Sequence, residues 1–234
     1  MNDRWPVPAG PGFLEAKKLA AAATGEPLKL FLGMSGTSEP IIVYLKAAFA
    51  QRNRRAEIAV PSFGTLNQAL LVPHAALVTE VLLLMPWDLV PEADWRTGIC
   101  PALFNIPRAI GSAERLASRL AERVNGRIVF IAAPIPPLGP VPEITKGITA
   151  ALEGIMATTG ADILNGECFS LASYLSSGNP VSGLAMGGVA RCLVDKVLGR
   201  IREPAKVLVT DFDNTLWAGV LSEDGKGGIS DFQG

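Results

Sequence analysis

Two carboxylates separated by one residue lie directly after an apolar segment late in the sequence. Asp211 and Asp213 follow residues 206–210, a run that predicts a short buried strand. Paired acids at the end of a strand suit Mg²⁺, a hard cation that binds through a few carboxylates and phosphate oxygens. One carboxylate can attack phosphorus to give an aspartyl phosphate, and its neighbour can act as general acid and then as general base. The segment therefore predicts phosphoryl-transfer chemistry at Asp211 and Asp213, supported by Asn214 and Thr215.

The longer string around these aspartates resembles a known family. The segment DFDNT (211–215) matches the DxDxT motif of the haloacid dehalogenase (HAD) superfamily. Residues 211–225, DFDNTLWAGVLSEDG, resemble its FkbH-like branch, subfamily IIIC. The resemblance implies that Asp211 is the nucleophile and a Mg²⁺ ligand. It also implies that Asp213 is the general acid and base, with its backbone carbonyl on the metal, and that Thr215 orients the loop.

The resemblance also sets expectations about activity and partners. It implies a phosphatase, or Mg²⁺-dependent phosphoryl or acyl (glyceryl-type) transfer, in secondary metabolism or polysaccharide biosynthesis. The expected partners are a phosphorylated small-molecule substrate and an acyl carrier protein. A HAD site also needs a Ser/Thr motif, a Lys/Arg motif and a further acidic pair on later strands, and the sequence reaches Gly234 before any of them. We therefore expect no phosphatase turnover from these 234 residues alone.

The elements that must position these residues alternate between strand and helix. Strands are predicted at 28–33, 56–60, 80–85, 127–132, 161–164 and 206–210, and helices at 40–52, 110–124, 144–156 and 189–201. This alternation predicts a three-layer αβα fold with a mostly parallel sheet, of the flavodoxin-like or SGNH-like kind that precedes the HAD core in FkbH-like proteins. The predicted division is an N-terminal arm at 1–27 with one short helix, an α/β domain at 28–202, and the first strand and loop of a HAD Rossmann-like domain at 203–234.

A turn rich in glycine and hydroxyl groups follows the first predicted strand. Gly33, Ser35, Gly36 and Thr37 lie between that strand and the next helix. Because ligands of open α/β sheets bind beyond the carboxyl ends of the strands, these four residues form a candidate ligand loop.

The same turn resembles a second family. The segment LGMSGT (32–37) is similar to the GDSxT block of SGNH hydrolases, with Met34 in place of the aspartate, and this resemblance implies Ser35 as a nucleophile. A serine nucleophile needs an adjacent base, and the sequence contains one histidine, His74, with none after it. Three interpretations stay open: an SGNH-type esterase, a ligand-binding loop without hydrolysis, and a helix start capped by Ser35, Thr37 and Ser38.

The composition excludes several classes of protein. Hydrophobic residues make up 49% of the chain and charged residues 18%, which excludes intrinsic disorder. The net charge of −1 leaves no basic field for nucleic acid. No apolar run reaches the roughly 20 residues of a membrane span, and the three cysteines without a CxxC pair fit a reducing compartment. We expect a cytoplasmic α/β protein without a membrane or nucleic-acid partner.

One further alternative to an enzyme follows from this organisation. The α/β domain at 28–202 would be a non-catalytic module that holds a substrate or an acyl carrier protein for the HAD domain. Labelling of Ser35 by a fluorophosphonate would distinguish the esterase interpretation from the HAD-type enzyme and from the non-catalytic module.

Overall fold

The computed structural model divides the chain into two units, Met1–Gly199 and Arg200–Gly234. The residues that the structure describes are 10–25, 27–62, 64–72, 79–94, 105–122, 126–131, 142–164, 168–201, 217–218 and 230–231. The domain division predicted from the sequence stays a prediction.

A five-stranded parallel sheet forms the centre of the first unit. Its strands are β1 (Pro27–Met34), β2 (Arg55–Ala59), β3 (Thr79–Leu84), β4 (Gly126–Ile131) and β5 (Asp162–Leu164), in the spatial order β2-β1-β3-β4-β5. Every neighbouring pair is parallel. This confirms the predicted α/β fold class with its flavodoxin-like sheet, and it places the topological switch point between β1 and β3.

Eight helices are described around this sheet. They are α1 (Phe13–Ala21), α2 (Glu39–Ala50), α3 (Leu66–Leu71), α4 (Pro86–Leu89), α5 (Ile106–Ala121), α6 (Pro142–Thr158), α7 (Leu171–Ser177) and α8 (Met186–Ile201). A 3₁₀ turn at Pro91–Ala93 follows α4. None of the described helices has the length and apolar character that a membrane crossing requires.

Side-chain alternation along β1 and β3 divides the core between the two faces of the sheet. Leu30 and Val81 belong to a cluster with α1, α2 and α8, whereas Phe31 and Leu82 belong to a second cluster with α3, α5 and α6. Successive side chains of a strand point to opposite faces, so these buried apolar strands require a helical layer on each side. The three-layer arrangement follows from that requirement.

The N-terminal helix is a packed element of this first unit. Ala16 of α1 is fully buried, and the ring of Phe13 lies 6.0 Å from that of Tyr44 in α2. α1 thus extends the helical layer that α2 and α8 form.

Beyond the end of α8, the described residues of the second unit form two short strands. β6 (Trp217–Ala218) pairs antiparallel with β7 (Ser230–Asp231). The strand predicted at 206–210 lies outside the described residues.

Candidate functional site

The predicted phosphoryl-transfer residues lie outside the part of the chain that the structure describes. This applies to Asp211, Asp213, Asn214 and Thr215. Within the described ranges, no group of three or more His, Cys, Asp or Glu side chains is placed to hold a metal ion. The geometry available for a site is therefore that of the first unit.

The predicted ligand loop lies at the switch point of the sheet. β1 ends at Met34 and is paired with β3, which ends at Leu84. The segments that leave these two strands come together there: the Ser35 hydroxyl donates a hydrogen bond of 2.9 Å to Oδ2 of Asp88. The structure thus pairs a serine predicted from the sequence with an aspartate that was not predicted.

The start of α4 holds Asp88 in place. The backbone amide of Met85 donates a 2.8 Å hydrogen bond to the same Oδ2 atom, which is the capping contact of an acid at the third position of a helix. Asp88 is 9% exposed. The sequence does carry a signal for this helix start, because a proline and then an acid follow the strand, but it gives no sign that the acid would meet Ser35.

Aromatic side chains pack beside this helix start. Trp87 stacks on Tyr174 of α7, with ring centroids 5.8 Å apart, and Tyr174 also contacts Phe169 at 6.2 Å. Trp87 and Tyr174 are each buried. Packing thereby fixes Trp87, the residue before Asp88, and this limits the positions that the Asp88 carboxylate can take.

A second segment clamps the ligand loop on its other side. The Thr37 amide donates to the Gly178 carbonyl at 2.9 Å, and the Asn179 side-chain amide donates to the Thr37 carbonyl at 2.8 Å. Asn179 is fully buried, and its Oδ1 atom accepts from the Val181 amide at 2.9 Å. Sequence reasoning missed Asn179, although the Ser-Gly-Asn-Pro run at 177–180 is a turn signal.

The two glycines of the predicted loop have different roles. Gly33 is a buried β1 residue opposite Leu82, and a Cβ there would lie 2.7 Å from that leucine side chain, so it serves strand packing. Gly36 is exposed at φ +116°, and a Cβ there would overlap the Gly178 carbonyl oxygen. Gly36 therefore allows the close approach of the two segments.

The helix-cap interpretation of the loop receives little support. Ser38 occupies the N-cap position of α2 but makes no side-chain capping hydrogen bond. Ser35 directs its hydroxyl to Asp88 instead. The hydroxyl groups of Ser35 and Ser38 thus do not cap the first turn of α2.

The arrangement around Ser35 differs from that of a serine nucleophile. His74 lies outside the described residues, and the partner of the serine is a carboxylate. A serine nucleophile needs an adjacent base, and the side chain that most often takes this role is the imidazole of histidine. The geometry therefore fits an oriented binding group better than an activated nucleophile.

The cysteines in the described part of the chain pack in or against the apolar core. Cys168 is 2% exposed and belongs to the core cluster with α8. Burial, and next the negative charge of Asp195, raise the pKa of the Cys192 thiol above its ordinary value. A raised pKa lowers the thiolate fraction at neutral pH, so Cys192 is a poor nucleophile.

A cleft of about 320 Å³ lies between the segment after α4 and the first turns of α5. Its lining includes Leu89, Glu92, Arg108 and Ser112. Nothing in the sequence pattern predicted it.

Comparison with known proteins adds a fold relationship. No protein-family model matches the chain, and no curated protein matches it in sequence. Among solved structures, the chain is similar to the N-terminal part of a Bacteroides fragilis protein that contains a phosphatase domain and is complexed with Mg, with a TM-score of 0.63 and 16% identity. The match covers 96% of this chain, and the chain spans 66% of the length of that neighbour. At this identity the likeness establishes the fold.

Proposed function

We propose that this chain belongs to a Mg²⁺-dependent phosphoryl-transfer enzyme of the HAD type, in its FkbH-like branch. The acidic motif at 211–215 carries the proposal. It is supported by the fold similarity to a protein that contains a phosphatase domain and was complexed with Mg.

The donor set of the motif fits the proposed metal. Asp211 and Asp213 offer carboxylate and carbonyl oxygens, and Mg²⁺ binds oxygen ligands almost exclusively. When bound, the ion would neutralise charge on the phosphoryl oxygens. Asp211 would attack the phosphorus with a carboxylate oxygen, and Asp213 would protonate the departing oxygen. Asp213 would then take a proton from the water that cleaves the aspartyl phosphate.

The finer proposal concerns substrate and partner. We propose a phosphorylated small-molecule substrate and transfer of an acyl, glyceryl-type unit to an acyl carrier protein. This rests on the resemblance of residues 211–225 to the FkbH-like pattern.

Phosphate release from p-nitrophenyl phosphate with Mg²⁺ tests the proposal, using the complete reading frame that contains these residues. Asp211→Asn should lower turnover by at least about a hundredfold, because it removes the nucleophile. Glu122→Gln removes an exposed carboxylate at the end of α5 and serves as the matched control. Equal activity in Asp211→Asn and Glu122→Gln would refute the mechanism.

The contact between Ser35 and Asp88 favours a second candidate function, that of a binding module. The Ser35 hydroxyl is oriented by the Asp88 carboxylate at the switch point of the sheet, where open α/β sheets bind ligands. The first unit would then hold the substrate or the acyl carrier protein without hydrolysing it.

Two measurements test the module. Titration of the 234-residue chain with an acyl carrier protein should give binding that Ser35→Ala weakens. A fluorophosphonate should leave Ser35 unlabelled, since the serine has no imidazole base among the described residues. Labelling that disappears in Ser35→Ala would instead establish the esterase.

A further inference from the structure

The hydroxyl of Ser35 has one proton, and its contact with Asp88 uses that proton. An ionised carboxylate only accepts hydrogen bonds, so the 2.9 Å contact between Ser35 Oγ and Asp88 Oδ2 is donated by the serine. Oγ keeps its lone pairs, which accept hydrogen bonds. The serine therefore presents an acceptor, and not a donor, to anything that approaches it.

The capping contact of α4 keeps this orientation in place. Oδ2 of Asp88 also accepts the Met85 amide at 2.8 Å, and the side chain is nearly buried. For Oγ to donate elsewhere, Ser35 would have to give up a charge-assisted hydrogen bond, which is stronger than a neutral one. The proton of Ser35 thus stays on the Asp88 side.

The lone pairs of Oγ and the position of Ser35 in the sheet favour the same class of ligand. Asp88 accepts the proton of Ser35, so only lone pairs of Oγ face a ligand, and a carboxylate or phosphate oxygen has no proton to place between them. Ser35 is partly exposed and Gly36 is exposed at the carboxyl end of β1. This is the edge of an open α/β sheet at which ligands bind.

We propose that the Ser35 loop binds its ligand through a hydrogen-bond donor, a hydroxyl or an ammonium group, which Ser35 Oγ accepts. Carboxylate and phosphate groups are rejected at this position. A serine that binds an oxyanion would show the opposite preference, because it must donate a hydrogen bond to an electron-rich oxygen. The inference deepens the second candidate function and rests on it.

Three probes of two carbon atoms each separate the alternatives. Ethylammonium is a donor only, ethylene glycol carries hydroxyl groups, and acetate is an acceptor only. Each is titrated into the ¹⁵N-labelled 234-residue chain to about 0.5 M, since fragments of this size bind weakly. The readout is the shift of the amide signals of Ser35, Gly36 and Thr37.

Ethylammonium, ethylene glycol or both should shift these signals saturably, and acetate should bind at least about tenfold more weakly. A response to ethylammonium alone assigns an amine ligand, whereas a response to both assigns any hydrogen-bond donor. Ser35→Ala should weaken donor binding about fivefold, the effect of losing one hydrogen bond. Ser35→Thr, which keeps the hydroxyl, should restore it. Ser118→Ala, on the exposed face of α5, is the matched control.

Two results would overturn the inference: acetate binding as well as the donors, or no shift at Ser35–Thr37 with any probe. Thermal melting of Ser35→Ala checks that the variant folds, and the Ser35→Thr titration keeps the test decisive if it does not. Failure with these probes is distinguishable from failure of the binding module, because the titration with acyl carrier protein reads a different partner.

Discussion

One oxygen of Asp88 accepts two hydrogen bonds, from the Met85 amide at 2.8 Å and from the Ser35 hydroxyl at 2.9 Å. The first is a local contact, because Asp88 lies three residues after Met85 and caps the start of α4. The second joins segments 53 residues apart. The orientation of the Ser35 hydroxyl is thus a consequence of how the neighbouring helix begins, and it requires no histidine.

Cys192 allows a prediction about pH dependence. Burial is the larger cause of its raised pKa, and Asp195 is the next. Asp195→Asn removes that negative charge, so the pKa should fall, the thiolate fraction should rise, and alkylation by iodoacetamide should become severalfold faster at pH 8. Rates from pH 7 to 10, measured by mass spectrometry of the Cys192 peptide, check this. Lys196→Gln removes a nearby positive charge and should slow the reaction. A rate that is unchanged or slower in Asp195→Asn would contradict the assignment.

The raised pKa of Cys192 also makes the stability of the fold depend on pH. The folded state holds the Cys192 proton more tightly than the unfolded state, because its pKa is raised. The tighter binding of this proton adds to the free energy of unfolding. The added stability is fully present below the pKa of the thiol in the unfolded state, and it is lost as the pH rises through the pKa in the folded state.

At the scale of elements, the turn after β1 is held against the turn after α7 by backbone contacts. Gly36 and Gly178 both have positive φ, at +116° and +72°. A Cβ on Gly178 would lie 2.6 Å from Thr37 Oγ1, and a Cβ on Gly36 would overlap the Gly178 carbonyl oxygen. Each glycine is therefore required by the other segment as well as by its own backbone.

Gly36→Ala should lower the free energy of unfolding by about 2–4 kcal/mol, because it adds a steric overlap to the strain of a positive φ. Gly64→Ala is a matched control: Gly64 has φ +72° and open space around its Cβ position, so it should lose about 1 kcal/mol from strain alone. Urea unfolding followed by circular dichroism measures both. A loss in Gly36→Ala no larger than in Gly64→Ala would show that the contact with Gly178 contributes nothing.

The strands and the long helices could be predicted from the sequence, and three short helices could not. Strands β1 to β5 are apolar segments that alternate with helices, and α2, α5, α6 and α8 have apolar periodicity over enough residues to be recognised. Helices α3, α4 and α7 have six, four and seven residues, too few for a helical period to be distinguished from a turn. They were missed for that reason.

The candidate site was predicted only in part, for a related reason. Ser35 and Gly36 could be singled out because a hydroxyl- and glycine-rich turn follows an obvious strand. Asp88 and Asn179 could not, because their contacts join positions 53 and 142 residues apart and depend on the register of parallel strands. A pattern along the chain does not contain that register.

At the scale of the molecule, the described core belongs to the part of the chain that ends with α8. Both core clusters and all five strands of the parallel sheet lie between α1 and the end of α8. The boundary between the two units, after Gly199, falls inside α8, which ends at Ile201. A chain ending at Arg202 therefore retains the complete last helix.

We predict that residues 1–202 fold without the second unit. The shortened chain should show a cooperative urea transition with the same midpoint, within error, as the first transition of the 234-residue chain. Leu82→Ala, at a fully buried β3 position, should destabilise both lengths equally, by about 2–5 kcal/mol, because the cavity forms in the same core. If the shortened chain instead unfolds without cooperativity, or if Leu82→Ala affects the two lengths differently, then residues 203–234 contribute to the stability of the α/β unit. The Ser35 loop could then not be studied apart from the acidic motif, since the scaffold that orients it would depend on both parts of the chain.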